Sequence, residues 1–124
     1  LENRVKFLGF RSDVPQLMGI CDLVAHTSTA PEPFGRVIVE AMLCGKPIVA
    51  AESGGAIELI EPGINGFLVP PGKPQQLAEV INTCYNQPEY TIAIAKSAQE
   101  MASRRFNQAN IDRQIADLLG RIFT

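Results

Sequence analysis

The sequence has little that would suit it to nucleic acid, a membrane span or a metal ion. No run of like charges occurs, and 11 basic against 13 acidic residues give a formal net charge of -2. This balance argues against a nucleic-acid partner or a polybasic membrane surface. No apolar run approaches the roughly 20 residues of a membrane span. The lone histidine, His26, has no metal-ligand spacing to other histidines, cysteines or acidic clusters.

Cysteine is also scarce, and the opening residues lack the layout of a signal peptide. Cys21, Cys44 and Cys84 are widely spaced, and an odd number without metal-ligand spacing favours reduced, buried thiols. The length of 124 residues suits one domain, and 46% hydrophobic with 19% charged residues is typical of a globular chain. We expect a cytoplasmic protein, with a place at the inner membrane face left open.

Strand and helix signals alternate along the chain. Short apolar runs predict four strands, at Val5–Phe10, Leu23–His26, Pro47–Ala51 and Phe67–Val69. Helical spacing and turn residues predict helices capped near Ser12 or Asp13, at Gly35–Cys44, near Ala56–Ile60, from Pro74, at about Glu89–Arg104 and at Asn110–Phe123. Leu17, Ile20 and Cys21 are expected to face inward from the first helix, and Gly45 to end the second in a left-handed conformation.

This order predicts an α/β layer fold with a parallel sheet of about four strands, helices on both faces and extra helices at the C-terminal end. Leu23–His26 is apolar throughout, as in a strand covered on both faces. Ligands of such sheets bind at the carboxyl ends of the strands. The loops that follow His26 and Ala51 are therefore expected at the functional edge.

The loop and helix at residues 31–45 carry the main candidate site. Amides of Gly35, Arg36 and Val37 lie in a first helical turn, where they have no intrahelical acceptor and form an anion site with the helix dipole. The dipole disfavours a cation at Arg36, and a bound phosphate would reverse that effect. The alternative is a surface ion pair between Arg36 and Glu40, four residues apart.

Two carboxylates bracket this helix tip with seven residues between them. Glu40 stands among residues predicted to be buried, so it needs partners, for which ribose hydroxyls are suitable. Glu32 stands between two prolines in a stiffened loop that can hold its side chain toward a ligand. The alternatives are that Glu40 points to solvent and that Glu32 is an ordinary surface acid.

A second glycine-bearing loop, Ser53-Gly54-Gly55, also joins a strand end to a helix start. It can add amides to the anion site, although a tight turn alone explains two adjacent glycines. His26 ends a strand at the same edge, where a structural role is the more ordinary interpretation.

The stretches PEPFGRVIVEAMLCGKPIVA, SGGAIELI and GINGFLVPPGKPQQLAEVI, in this order, resemble the donor domain of group 1 (family 4) retaining glycosyltransferases of the GT-B fold. The resemblance runs from VKFLGF to about Ile81. It implies that Glu32 contacts the transferred sugar near the reacting centre and that Glu40 binds the ribose. It also implies that Phe34 and the amides of Gly35, Arg36 and Val37 hold the diphosphate, and that a nucleotide-diphosphate sugar is used without a metal ion or other cofactor.

The same resemblance implies that this is one piece of a hexosyltransferase-type enzyme. The acceptor domain, which would take a sugar or lipid acceptor, and the first two strands of the donor domain are expected to be absent from residues 1–124. In the strand order 3-2-1-4-5-6, Val5–Phe10 would lack neighbours. We expect it either to pair with Leu23–His26 or to leave an edge through which the chain self-associates.

Three other interpretations compete with this one. A GT-B-like sugar-nucleotide epimerase would also bind a nucleotide diphosphate, although the paired glutamates favour a transferase. A non-catalytic nucleotide-binding module would use the same anion site. A signalling receiver domain suits the length, but it needs an acidic cluster at the strand ends that this chain does not have.

Overall fold

The computed structural model describes residues 3–30 and 34–106, over which helices alternate with strands. The elements in chain order are α1 (Val14–Ile20), β1 (Val24–His26), α2 (Arg36–Leu43), β2 (Ile48–Ala51), α3 (Gly55–Leu59), β3 (Phe67–Val69), α4 (Pro74–Asn86) and α5 (Pro88–Arg105). Every helix and strand predicted from Leu23 to Arg104 is present. The predicted helix at Asn110–Phe123 lies outside the described residues.

The three strands form one parallel sheet in the order β1-β2-β3. Val24 stands opposite Ile48, and Val49 stands opposite Phe67. The prediction of an α/β fold with a parallel sheet is therefore confirmed, with three strands in the described part of the chain instead of about four.

The missing fourth strand is the segment Val5–Phe10, for which the prediction was wrong. The segment forms no strand and does not pair with β1. Phe7 is 95% exposed and Phe10 is 100% exposed. A strand is stable only with a hydrogen-bonded neighbour and a packed face. No element in residues 3–30 and 34–106 supplies either to this segment, so its apolar composition alone was not sufficient.

Strand β2 lies at the centre of the core. All four of its residues are buried, and because successive side chains point to opposite faces, both faces of this strand are covered. Helix α2 contacts β1 and β2, α4 contacts β2 and β3, and α5 packs against α2 and α4. The outer strand β1 is different, since Ala25 is exposed. The prediction that β1 is covered on both faces was wrong, because an edge strand receives less cover from the helices.

Helix α2 ends as its sequence predicts. Gly45 has φ 72°, its amide donates to Met42 O at 3.0 Å, and the Lys46 amide donates to Ala41 O at 3.1 Å. These two bonds satisfy carbonyl groups that the helix end leaves without partners. The turn fixes the direction in which the chain enters β2.

Helix α1 differs from its prediction in two respects. Met18 is its buried residue, whereas Ile20 is 81% exposed and Leu17 is only half-buried. Cys21 is exposed, so the prediction that it faces inward as a buried thiol was wrong. A helix of seven residues that contacts α2 buries a narrow stripe, and the stripe here is centred one position away from Leu17. Asp13 occupies the N-cap position but makes no side-chain cap, because its carboxylate oxygens accept from Arg11 Nε and Nη2 at 2.7 Å each. The Arg11 guanidinium lowers the pKa of the Asp13 carboxyl.

Candidate functional site

The candidate site lies at the edge of the sheet where the parallel strands reach their carboxyl ends. The loops after β1 and β2 lead there into α2 and α3. Crevices at this edge are where open α/β sheets bind ligands. The prediction that these two loops share one edge follows directly from the parallel register, and the register confirms it.

The tip of α2 is formed by Gly35, which has φ 61° and ψ 38° and carries no side-chain cap. The first backbone bond of the helix runs from the Val39 amide to Gly35 O at 3.1 Å. The amides of residues 36–38 therefore precede the first acceptor that the helix can offer them. A methyl group at Gly35 would lie 2.6 Å from Leu59 Cδ1, and the left-handed conformation also favours glycine.

The tip of α3 touches the tip of α2 through the backbone. Gly55 is buried, and a Cβ atom added to it would lie 2.9 Å from Gly35 N and 2.9 Å from Phe34 C. Only a residue without a side chain permits this approach. The structure thus brings together the two glycine-bearing loops that the sequence singled out separately.

A small cavity of about 20 Å³ opens where the two tips meet. Its lining includes His26, Gly35, Ala51 and Ser53. A cavity of this size accommodates about one water molecule or one ligand oxygen. A larger ligand at this position would therefore lie over the surface of the tips, with a single group inserted between them.

Glu40 and Arg36 form the surface pair that the sequence left open as an alternative. Arg36 Nε donates to Glu40 Oε1 at 3.2 Å, with side-chain exposures of 65% for Arg36 and 31% for Glu40. Exposed pairs at this spacing contribute only about 0.3–0.5 kcal/mol. The pair is weak enough to exchange for a ligand that offers Glu40 better donors.

The remaining predicted site residues are distributed around the α2 tip. Gly35, Ser53 and Gly55 lie at the small cavity or beside it, with Gly54 as the N-cap residue of α3. Phe34 and Arg36 are exposed, whereas Val37 is partly buried and packs against the core. None of these three lines the cavity. Glu32 lies outside the described residues.

A second cavity at the same edge involves residues that the sequence reasoning missed. Its volume is about 210 Å³, and its lining includes Thr27, Thr29, Ala51 and Lys73. Lys73 stands in the loop after β3. The rule that placed the loops after β1 and β2 at the carboxyl edge applies equally to the loop after β3. This rule could have identified Lys73 as a residue of the same edge from the sequence.

The described residues contain no candidate for a metal site or for a membrane-spanning helix. Over residues 3–30 and 34–106, no group of three or more His, Cys, Asp and Glu side chains is arranged to hold a metal ion. In the same residues, no helix is both long enough and apolar enough to cross a membrane.

An open parallel sheet with bare glycine tips at its carboxyl edge is the architecture of phosphate-binding α/β domains. Residues 1–101 match the family described as glycosyl transferases group 1. The chain belongs to this family, as the resemblance of its central stretches implies, and the receiver-domain alternative is thereby removed.

Known proteins with similar sequences or structures agree with this assignment. The chain is 66% identical to HepE of Anabaena, whose crystal structure contains UDP-glucose, with a TM-score of 0.88 over 98% of this chain and 33% of that one. It is 29% identical to the alpha-D-kanosaminyltransferase of Streptomyces kanamyceticus over 98% of this chain and 32% of the relative. It is 32% identical to the N-acetyl-alpha-D-glucosaminyl L-malate synthase of Bacillus anthracis over 92% of this chain and 30% of the relative.

The share of each relative that is matched defines what this chain represents. It spans about a third of the length of these proteins. The sheet, the helix tips and the cavities are therefore features of one part of a glycosyltransferase architecture.

Proposed function

We propose that this chain is the donor-binding part of a retaining, hexosyltransferase-type glycosyltransferase. The observation that carries the proposal is the backbone contact between Gly35 and Gly55, which places two uncapped helix starts side by side at the carboxyl edge. Such a pair of tips presents several amide donors to one anionic group. The diphosphate of a nucleotide sugar is an anion of this kind.

The amides of Gly35, Arg36 and Val37 bind the diphosphate in this proposal, and the loop Ser53-Gly54-Gly55 adds donors from the other side. The dipole of α2 contributes about 0.3–1 kcal/mol toward a negative charge at its tip. Arg36 then becomes favourable at this position, because a bound phosphate offsets its repulsion by the helix dipole. Phe34 forms part of the surface over which the donor lies.

In this proposal Glu40 binds the ribose by giving up its hydrogen bond from Arg36 for hydrogen bonds from two ribose hydroxyl groups. Its pair with Arg36 is exposed and contributes about 0.3–0.5 kcal/mol. A hydrogen bond from a hydroxyl to a charged carboxylate contributes about 1.5–3 kcal/mol. The hydroxyl bond therefore contributes more than the ion pair that the structure shows, and the exchange is favourable.

The donor we propose is a uridine diphosphate sugar. The support is the 66% identity to HepE, which was solved with UDP-glucose, with UDP and glucose, and with UDP. Glu32 is assigned the contact with the transferred sugar. Catalysis then depends on positioning and on electrostatic stabilisation of the leaving diphosphate by protein groups, with no metal ion required.

The acceptor, a sugar or a lipid, would be held mainly by a separate N-terminal domain of the whole protein. We place this protein in the cytoplasm, with contact to the inner membrane face if the acceptor is a lipid. The free thiols of Cys21, Cys44 and Cys84 are compatible with a reducing compartment.

We also propose that the isolated chain self-associates through β1. Over the described residues no strand pairs with the outer edge of Val24–His26, and an unpaired edge is a template for a second copy. Light scattering after size exclusion should give a dimer, and Ala25→Pro should shift it toward monomer. A monomer at all concentrations up to about 1 mM, which corresponds to an association free energy weaker than about -4 kcal/mol, would remove this proposal.

Isothermal titration calorimetry with UDP, GDP and ADP tests the donor site. We expect UDP to bind, and Glu40→Ala to weaken UDP binding by about 10- to 150-fold, as a loss of about 1.5–3 kcal/mol requires. Glu100→Ala is the matched control, since Glu100 is an exposed helical glutamate on α5. UDP affinity should not change with EDTA. Equal affinity of the wild type and Glu40→Ala would remove Glu40 from the site.

A non-catalytic nucleotide-binding module, or a GT-B-like epimerase, would give the same calorimetric result. Transfer from UDP-glucose by the whole protein distinguishes these alternatives. A protein that binds UDP but neither transfers nor hydrolyses the sugar would support the module.

A further inference from the structure

The second cavity at the carboxyl edge is a mostly apolar recess, and the charged side chain among its described lining residues is a lysine. It measures about 210 Å³, and its polar side chains are Thr27, Thr29 and Lys73. Among the lining residues that the structure describes, none carries a carboxylate. In the described part of the chain, the Lys73 ammonium forms no ion pair with an acidic side chain. The described lining therefore combines one cation that has no acidic partner there with two hydroxyl groups.

Its walls and position narrow the class of ligand. Ala51, Val69 and Leu77 supply apolar surface beside the polar groups. Ala51 also lines the small cavity between the helix tips, so the recess and the proposed donor site are adjacent on one edge. The recess is about ten times larger than the small cavity, which gives room for a sugar ring together with a charged substituent.

We propose that this recess is a subsite for a phosphorylated sugar, and that it holds a phosphate group of the acceptor beside the donor. Lys73 binds the phosphate as a point charge. Thr27 and Thr29 exchange hydrogen bonds with sugar hydroxyls, and the apolar wall covers the ring. The idea of an acceptor here rests on the proposed function, whereas binding of a sugar phosphate to the recess does not.

The test is an amide chemical-shift titration of the labelled chain with glucose 6-phosphate, in the presence of saturating UDP. We expect saturable shifts at Thr29, Gly72 and Lys73. Lys73→Gln should weaken glucose 6-phosphate at least fivefold, whereas Lys96→Gln, an exposed lysine on α5, should leave the affinity unchanged. Glucose and inorganic phosphate, which each contain one half of the ligand, should each bind more weakly than the intact sugar phosphate.

The outcomes separate this proposal from the donor site. Lys73→Gln should leave UDP affinity unchanged, and Glu40→Ala should leave the shifts at Thr29 and Gly72 unchanged when glucose 6-phosphate is added without UDP. Absence of saturable shifts at the recess would overturn the proposal. An equal loss with Lys73→Gln and Lys96→Gln would also overturn it, because it would indicate non-specific charge attraction. If UDP fails to bind but glucose 6-phosphate still causes saturable shifts at the recess, the proposed donor site is wrong and the sugar-phosphate subsite is supported.

Discussion

Replacing Gly55 by alanine tests the contact on which the two helix tips depend. The new Cβ atom would lie 2.9 Å from Gly35 N, 2.9 Å from Phe34 C and 3.2 Å from Phe34 O. All three atoms belong to the backbone, so no side chain can rotate away. To restore ordinary contact at 3.4 Å, the tips of α2 and α3 must separate by about 0.5 Å.

The expected loss of stability follows from two opposing contributions. Insertion of a methyl group into a packed site costs about 1–3 kcal/mol. Alanine in place of glycine in a helix returns at most about 0.5–1 kcal/mol, and less at the first helical residue, which Gly55 is. The net free energy of unfolding should therefore fall by about 1–2 kcal/mol.

Urea unfolding and UDP calorimetry measure the two consequences. Gly19→Ala is the matched control, because Gly19 also lies in a helix and its added Cβ would meet nothing within 4 Å. That variant should gain up to about 0.5–1 kcal/mol and bind UDP normally. Gly55→Ala should lose stability and bind UDP at least about threefold more weakly, which corresponds to roughly 0.7 kcal/mol.

The reasoning would be refuted if Gly55→Ala matched the stability gain of Gly19→Ala. A stable Gly55→Ala protein with unchanged UDP affinity would show that the two tips need not touch for the site to form.

Three other consequences are open to measurement. Asn65 is buried, accepts a hydrogen bond from the Glu61 amide at 2.8 Å and donates one to Leu59 O at 3.0 Å. Asn65→Ala should therefore lower the free energy of unfolding, measured in urea, by about 2–4 kcal/mol. A loss below about 0.5 kcal/mol would contradict this. Arg11 lowers the pKa of Asp13. Their interaction should therefore stabilise the fold at pH values above the usual pKa of an aspartate, and this stabilisation should be lost as the pH falls through the folded-state pKa. In a carbon-detected NMR titration, Arg11→Gln should return the pKa of Asp13 toward its usual value, and an unchanged pKa would exclude the pair in solution. Burial raises the pKa of the Cys84 thiol. Iodoacetamide at about pH 8 should therefore alkylate the exposed Cys21 before the buried Cys84. If mass spectrometry showed the reverse order, helix α4 would have to open readily.

Local signals in the sequence were sufficient for most of the fold. Helix α2 was predictable because its apolar residues repeat at helical spacing and Gly45 then ends it. The hydrogen bonds that the amides of Gly45 and Lys46 donate back to the last turn confirm this end. Strand β2 was predictable because a buried parallel strand is apolar along its whole length.

The errors occur where structure depends on partners that are distant in sequence. Val5–Phe10 has the composition of a strand, but no described strand provides it with a hydrogen-bonding neighbour. The inward face of α1 depends on how this short helix meets α2, which the spacing of Leu17 and Ile20 alone does not determine.

The candidate site shows the same division. The uncapped tip at Gly35 and the edge position of both loops were predictable from local signals and from the parallel topology. The contact between Gly35 and Gly55 was not, because two glycines 20 positions apart reveal their approach only when the sheet aligns their helices. Whether Arg36 pairs with Glu40 was also undecidable from spacing, since the same spacing fits a surface ion pair and a carboxylate directed toward a ligand.

The most direct test of the donor site is a comparison of UDP with uridine by amide chemical shifts. If the tips of α2 and α3 hold a diphosphate, UDP should move the amide signals of Gly35, Arg36, Val37 and Gly55 saturably, while uridine at equal concentration leaves them in place. Equal shifts with both compounds, or no shift at these four amides with UDP, would contradict the account.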